Sequence, residues 1–531
     1  MRVNGLQLNK MNIKRLVNTL SHLKLIQVTC QLYYRLSKPS FRYYSSSFNR
    51  GKIRLLTPIE RLICVKGQVC TFLNQSSPFI SWNDTSKGML WAYNLNYMDW
   101  LVQEDISFEE GAAWIDRFIA DLSENKVGLD PYPTALRIIN WIKFISIHYD
   151  EIEHERLMVW NDSLYSQYIH LSRNLEYHLL GNHLLEDAYA LFIASIYFSD
   201  EKLYEKAKRL LRRQLDEQVL NDGAHFEQSP MYHCILLDRL LDCCNVSFHN
   251  LKFRDQKEIN DFLKETAVKM LGHLGSILYD DGTYPLFNDS ASGVAPTPSQ
   301  IFLYAAALGI VWNNIQMNES GYRKLANSGM EVFADVGNVT ASYQPGHTHA
   351  DTFTYELRIG GKPFVSDTGI STYEKNERRQ YERGTSAHNT VVVHGMDSSE
   401  VWSGFRLGKR ARVAVISDTR NKIEACHDGY GKSNIHRRVF EIGDDFFRIT
   451  DSVKSICPAI NYIHLASGII VLETSQDRII TDLGILQIDN AQHVEVVENR
   501  ISCEYNSLLP SYVIMVHFVG SMSYTIRKRQ V

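Results

Sequence analysis

The chain has 531 residues, is 44% hydrophobic and 22% charged, and carries a formal net charge of −4. That length exceeds one ordinary core, so two domains are expected, and the near-neutral balance removes any whole-molecule case for binding nucleic acid. No uninterrupted apolar run approaches the roughly 20 residues of a spanning helix, and nine cysteines without metal-like CxxC spacing read as free thiols rather than a disulfide framework.

Residues 1–89 are expected to form a basic N-terminal arm and lead-in. The first 59 hold eleven Lys or Arg and no Asp or Glu. That composition suits peripheral contact with an anionic membrane surface or an organellar transit peptide. The plainer reading is a helical arm packed on the body through Leu20, Leu23, Leu25, Ile26, Leu32 and Tyr33. Leu23 to Tyr34 is broken by Lys24 and lacks a small-residue cleavage site, so no secretory signal is visible.

Residues 90–327 read as helical. Trp114-Ile115-Phe118-Ile119-Leu122 keeps three-to-four-residue apolar spacing, as does Leu184-Leu185-Ala188-Leu191-Phe192. Lys202 to Leu220 and Gln256 to Ile277 are amphipathic, and polar connectors such as Asn221-Asp222-Gly223 punctuate the segments. Antiparallel helix pairs of this kind can stack around an axis into a toroid. The cluster Trp91, Tyr93, Tyr97 and Trp100 suits either sugar stacking or a core, with Trp100 expected to be buried. Asn182 and His183 open a helix at Gly181, and Glu186 follows one turn later. Asp222 to His233 crowds polar groups, among them Tyr232 and His233, into one turn before a helix resumes.

Residues 328–531 change to alternation and hairpins. Thr352 to Ile359, Gly360-Gly361 and Lys362 to Ser366 predict one hairpin. Arg438 to Ile442, Gly443-Asp444-Asp445 and Phe446 to Thr450 predict another. An antiparallel sandwich suits this region better than a parallel sheet. Within it His349, Asp367 and His388 offer two imidazoles and a carboxylate, a ligand set suited to zinc. His347 would remain free for chemistry. Were that segment a strand, His347 and His349 would point to the same side.

Taken together, Asn182-His183-Leu184-Leu185-Glu186, His225 to His233, His347-Thr348-His349-Ala350-Asp351 and Ala387-His388-Asn389-Thr390 resemble the heparinase II/III family of polysaccharide lyases. Trp91 to Trp100 and Pro131 to Arg137 also look like segments of that family. The match runs in order from about residue 90 to 440. The resemblance implies an α+β multidomain fold, with an N-terminal incomplete (α/α) toroid followed by a C-terminal antiparallel β-sandwich. It also implies β-elimination on a uronic acid, in an acidic polysaccharide.

That chemistry needs the uronate carboxylate neutralised, a base near C5 and an acid for the departing glycosidic oxygen. By resemblance, Asn182 neutralises the carboxylate, with His347 either assisting it or acting as base. Tyr232 is the general acid, and also the base if elimination is syn. A phenol needs help to act as base, which His183, His233 or Arg383 would supply. Glu186 aligns His183 or binds a hydroxyl. Arg137, Arg383 and Arg406 are candidates for carboxylate or sulfate pairing, and Trp91 for stacking on a sugar. Zinc at His349, Asp367 and His388 is implied as a structural ion. The resemblance also implies a periplasmic enzyme, against which stands the missing signal. Two other classes fit part of the pattern: a zinc hydrolase, and a non-catalytic glycan-binding protein in capsule or exopolysaccharide production.

Overall fold

The structure, a computed structural model, describes residues 13–36, 40–46, 52–62, 64–454 and 457–530. Three helices, Pro131–Ile147, Gly181–Phe198 and Pro230–His249, pack side by side as an inner row. Their partners His154–Ser172, Glu201–Gln218 and Gln256–Ser276 lie outside them. The division follows from composition. Gly181–Phe198 is buried almost throughout and mostly apolar beyond its first two turns, whereas Glu201–Gln218 buries one stripe (Tyr204, Ala207, Leu211 and Leu215 among it) and mostly exposes the rest. Among the described residues no helix is long and apolar enough to cross a membrane.

Antiparallel sheets follow. The first contains Tyr322–Ala326, Met330–Asp335, Tyr355–Ile359 and Lys362–Val365 in that order. Its expected hairpin pairs Ile359 with Lys362 across Gly360-Gly361. An eight-stranded sheet includes the second expected hairpin, with Ile442 opposite Phe447. A further four-stranded sheet contains His493–Glu504, Ser507–Val519, Pro458–His464 and Val391–Val393. All three contribute to one core that includes Leu357, Ile359, Phe440, Ile449, Ile463 and Phe518.

Tyr355–Ile359 alternates in sequence yet is buried on both faces. The physical reason is the domain seam. Tyr355, Leu357 and Ile359 enter the sheet core, while the polar face meets the helical half. There Glu356 accepts from Tyr279 Oη (3.1 Å) and from the Leu286 amide (3.1 Å), and Arg358 pairs with Asp281.

Two parts of the lead-in also cross the seam. Asn74, at the tip of the hairpin Val69–Phe72/Gln75–Pro78, donates to Glu504 Oε2 (2.9 Å) and Tyr505 O (3.0 Å). Asn506 returns a bond to Leu73 O (2.8 Å). The arm, a helix over 13–20 followed by Leu25–Leu36, differs from its expected packing. Leu20, Leu25, Ile26, Leu32 and Tyr33 are exposed. Polar groups hold the arm instead, Gln27 and Thr19 being its buried members.

Candidate active site

The seam gathers residues from five separate segments. Asn182 stands at the start of Gly181–Phe198, and its backbone conformation is set by two residues with positive φ, Leu180 at 62° and Gly181 at 58°. A Cβ on Gly181 would lie 2.5 Å from Glu227 Oε1. Gly181→Ala is therefore expected to cost about 1–3 kcal/mol, read as a lowered denaturation midpoint, and to displace Asn182. Positive φ recurs at Gln228 and Asn288, next to Glu227 and Asp289. Backbone strain thus collects where side chains must be aimed.

Glu227 orients Asn182 from two sides. Its carboxylate accepts from the Asn182 backbone amide (3.0 Å) and from Asn182 Nδ2 (2.8 and 3.1 Å). Asn182 Nδ2 also lies 3.3 Å from His347 Nε2. His347 Nδ1 is 2.8 Å from Asp289 Oδ2. If Nδ1 carries the proton toward that carboxylate, Nε2 is left as an acceptor for the Asn182 amide.

Tyr232 caps this pair, its ring centroid 3.9 Å from that of His347. It follows Ser229, whose hydroxyl caps the helix by accepting from the Tyr232 amide (3.1 Å). The Tyr373 hydroxyl donates to Tyr232 Oη at 3.3 Å and lies 3.4 Å from His347 Nδ1. Burial pushes the Tyr232 phenol well up, against the pull of the Tyr373 hydrogen bond. Burial thus favours the protonated phenol at Tyr232. Beside it a small cavity is walled by Tyr97, Tyr132, Tyr232, Tyr373 and Tyr505, with Arg239 among its polar lining.

Asp289 is the hub. Its Oδ1 meets His349 Nε2 (2.7 Å), its Oδ2 meets His347 Nδ1, and the Arg379 guanidinium grips both oxygens at 2.5 and 2.7 Å. Burial works against the charged carboxylate, but Arg379 and the two imidazoles hold it well below the usual range. The His347–His349 segment is a loop rather than a strand; the two rings are brought together by this shared acid.

Several expected site residues belong elsewhere. Arg137 is fully buried, with donors on Gln167 Oε1, Asn96 O and Gly128 O, so it ties the helices Met89–Tyr97 and His154–Ser172 and the turn at Gly128 together, away from the surface. Trp91 is 2% exposed and donates to Gln75 O, a core role like that of Trp100. His233 lies inside, between the His225 amide and Met270 O. Arg383 is buried and donates to Thr348 O at 2.8 Å, holding the His347 loop from behind. Glu186 is buried with no hydrogen bond to either oxygen among the described residues, 3.9 Å from Arg239 Nε, and burial pushes its carboxyl up to about 7. The acid that aligns His183 is instead Glu176, 3.1 Å from Nδ1. Burial disfavours the His183 imidazolium, yet Glu176, with Glu227 and Glu186, outweighs it and the pKa is raised.

At the expected metal position, His388 Nδ1 lies 2.8 Å from Asp367 Oδ2, and the His349 and His388 rings are 5.3 Å apart. His349 Nδ1 and His388 Nε2 are buried without a hydrogen-bond partner among the described residues. Among the described residues, no group of three or more His, Cys, Asp or Glu is arranged to hold a metal ion. The donor types therefore fit zinc, whereas the side-chain arrangement is that of paired hydrogen bonds.

A helical half and antiparallel sheets sharing one buried polar seam define an α+β multidomain protein. Comparison with known proteins narrows that class. The Heparinase II/III N-terminus family matches residues 134–303, and the Heparinase II/III-like C-terminal family matches residues 311–524. The chain belongs to the heparinase II/III family. A heparin-sulfate lyase of Bacteroides stercoris is 26% identical over 310 residues, covering 52% of this chain and 44% of that protein. One from Pedobacter heparinus is 27% identical over 266 residues, covering 45% and 39%. The matches thus span less than half the length of these curated relatives. Among solved structures, a crystal structure of heparinase III superposes with a TM-score of 0.69 at 15% identity, covering 94% of this chain and 89% of that one. The heparan sulfate lyase of Pedobacter heparinus gives 0.58 at 18% identity, covering 95% and 88%.

Proposed function

We propose that this protein is a polysaccharide lyase that cleaves a uronate-containing acidic polysaccharide by β-elimination, its helices forming an incomplete (α/α) toroid. The observation that carries the reading is the convergence of Asn182 Nδ2, His347 Nε2 and the Tyr232 ring in one buried corner. A substrate carboxylate set against the Asn182 amide would share its negative charge with a preorganised donor as the C5 proton leaves. With Nδ1 turned to Asp289, His347 presents Nε2 beside the Asn182 amide and 3.5 Å from Glu227 Oε2, and that atom would take the C5 proton. Tyr232, kept neutral by burial, would give its proton to the departing glycosidic oxygen. Glu227 and Tyr373 aim these groups. A zinc hydrolase would leave Asn182 and Tyr232 without a task.

The test is ultraviolet absorbance of the unsaturated uronate as purified protein meets heparan sulfate, alginate, hyaluronan, chondroitin and bacterial capsules. Heparan sulfate leads the panel because the curated relatives are heparin-sulfate lyases. A rise with one polymer supports the reading. Release of reducing ends without that absorbance would overturn it in favour of hydrolysis.

A structural zinc held by His349, Asp367 and His388 belongs to the same proposal, supported by the two buried imidazole nitrogens that have no partner among the described residues. Bound there, it would cross-link the His349 loop to the segments bearing Asp367 and His388. Elemental analysis is expected to find about one zinc per chain, lost together with thermal stability in His349→Ala. Equal metal content in the two proteins would remove His349 from the ligand set.

A further inference from the structure

Gln27 is 3% exposed on an arm whose apolar side chains mostly face outward. Its amide nitrogen donates to Leu179 O at 3.1 Å and to Tyr343 O at 3.3 Å. Its Oε1 accepts from the Lys24 amide at 2.9 Å, so the orientation of the amide is set from within the arm. Leu179 belongs to the helical half and immediately precedes Leu180-Gly181-Asn182. Tyr343 belongs to the loop that leads into His347. One side chain therefore ties together the two backbones that deliver the Asn182–His347 pair.

The arm is anchored on both sides of that bridge. Lys24 pairs with Glu217 of the helical half and lies 3.8 Å from the Tyr343 ring centre. Arg15 Nε donates to Glu400 Oε1 at 2.9 Å, and Trp402 Nε1 donates to Thr19 Oγ1 at 3.2 Å. Arg383, whose other nitrogen holds Thr348 O, also donates to Trp402 O. The arm thus reaches the His347 loop by a second route. The segment it grips carries positive φ at Leu180 and Gly181, a geometry that persists only when surrounding contacts enforce it.

We propose that the arm is a strap belonging to the frame of the site, with Gln27 a positioning residue that fixes the separation of Asn182 and His347. What that pair does chemically rests on the lyase reading; the positioning itself does not. The test compares the full chain with Gln27→Ala, with Gln27→Glu, which keeps the volume but loses the donor, and with Arg15→Ala, which cuts an anchor remote from the bridge. Hydrogen exchange at residues 181–183 and 346–349 is expected to quicken at least tenfold in both Gln27 variants. The inner helix Pro131–Ile147 should exchange as before, and Arg15→Ala should change either region far less. On the polymer that responds, kcat should fall about ten- to a hundredfold with KM little changed, because displacement near 1 Å is costly in an aligned site.

Unchanged local exchange in both Gln27 variants would overturn the strap, as would exchange that rises evenly through the inner helices. If local exchange responds but no polymer is eliminated, the lyase reading fails and the strap stands. If elimination proceeds and local exchange does not respond, the strap alone fails.

Discussion

Replacing Tyr232 by Phe is expected to reduce elimination by about 10²–10⁴-fold, the span that a positioned acid contributes. Fold stability should change by about 1 kcal/mol or less. The two expectations separate because the Tyr232 hydroxyl receives, among the described residues, a single side-chain hydrogen bond, from Tyr373 at 3.3 Å, while its ring stays packed against His347. The change therefore removes a proton donor and little packing. Initial rates on the responding polymer, beside chemical denaturation of both proteins, check it. Turnover within tenfold of the parent would take the acid role from Tyr232 and leave Tyr373, already within reach of His347, as the phenol to test.

Asp289→Ala should produce the largest loss of stability of any single change at the site, about 3–5 kcal/mol. Arg379 is fully buried and spends two nitrogens on this carboxylate. Truncation would leave a guanidinium in the interior without its counter-charge, which costs more than the pair contributes. The same change frees His347 Nδ1 and His349 Nε2 together, so activity should fall even in the folded fraction. Asp289→Asn keeps the shape and one acceptor and should lie between. Urea denaturation with activity normalised to folded protein distinguishes the two effects. A midpoint for Asp289→Ala equal to the parent's would mean that the Asp289–Arg379 pair is not what holds this seam.

Asn182, Tyr232 and His347 were legible because each sits in a run whose neighbours also carry a pattern: a helix start, a crowded turn, an HxH loop. Glu227 lay in plain view between His225 and Tyr232 but had no assigned role, since nothing local says that a carboxylate will reach back to Asn182. Asp289, Tyr373 and Arg379 were not legible. Their neighbours carry no apolar periodicity that would mark them, the short helix Glu377–Arg383 around Arg379 being almost wholly polar, and their meaning comes from partners across the seam. The signal available was Asn288-Asp289-Ser290, a polar triplet between the helices Gln256–Ser276 and Pro298–Ala307, which reads locally as an ordinary turn. The misplacements share one cause. Arg137, Arg383, Trp91 and His233 stand close in sequence to site motifs, but side-chain direction takes them inward, and direction is fixed by packing that one sequence does not display. The exposed leucines of the arm are the converse case: apolar spacing predicted packing, yet Gln27 and Thr19 made the contact.

The hairpin tip at Asn74 and its partner Glu504 are 430 residues apart. At roughly 5–20 residues per second, synthesis separates them by about 20–90 s. Through that interval the arm, the hairpin tip and the inner helices exist as nascent chain while the groups that complete the seam are still unmade. Local helix pairs can form early, but contacts this distant carry a late closing step. The contact between the hairpin tip and Glu504 is accordingly made late, and a chain halted before the final strands would leave that edge of the helical half open. Its arm, whose partners Leu179, Glu217, Tyr343 and Glu400 are already made by then, could be tied down.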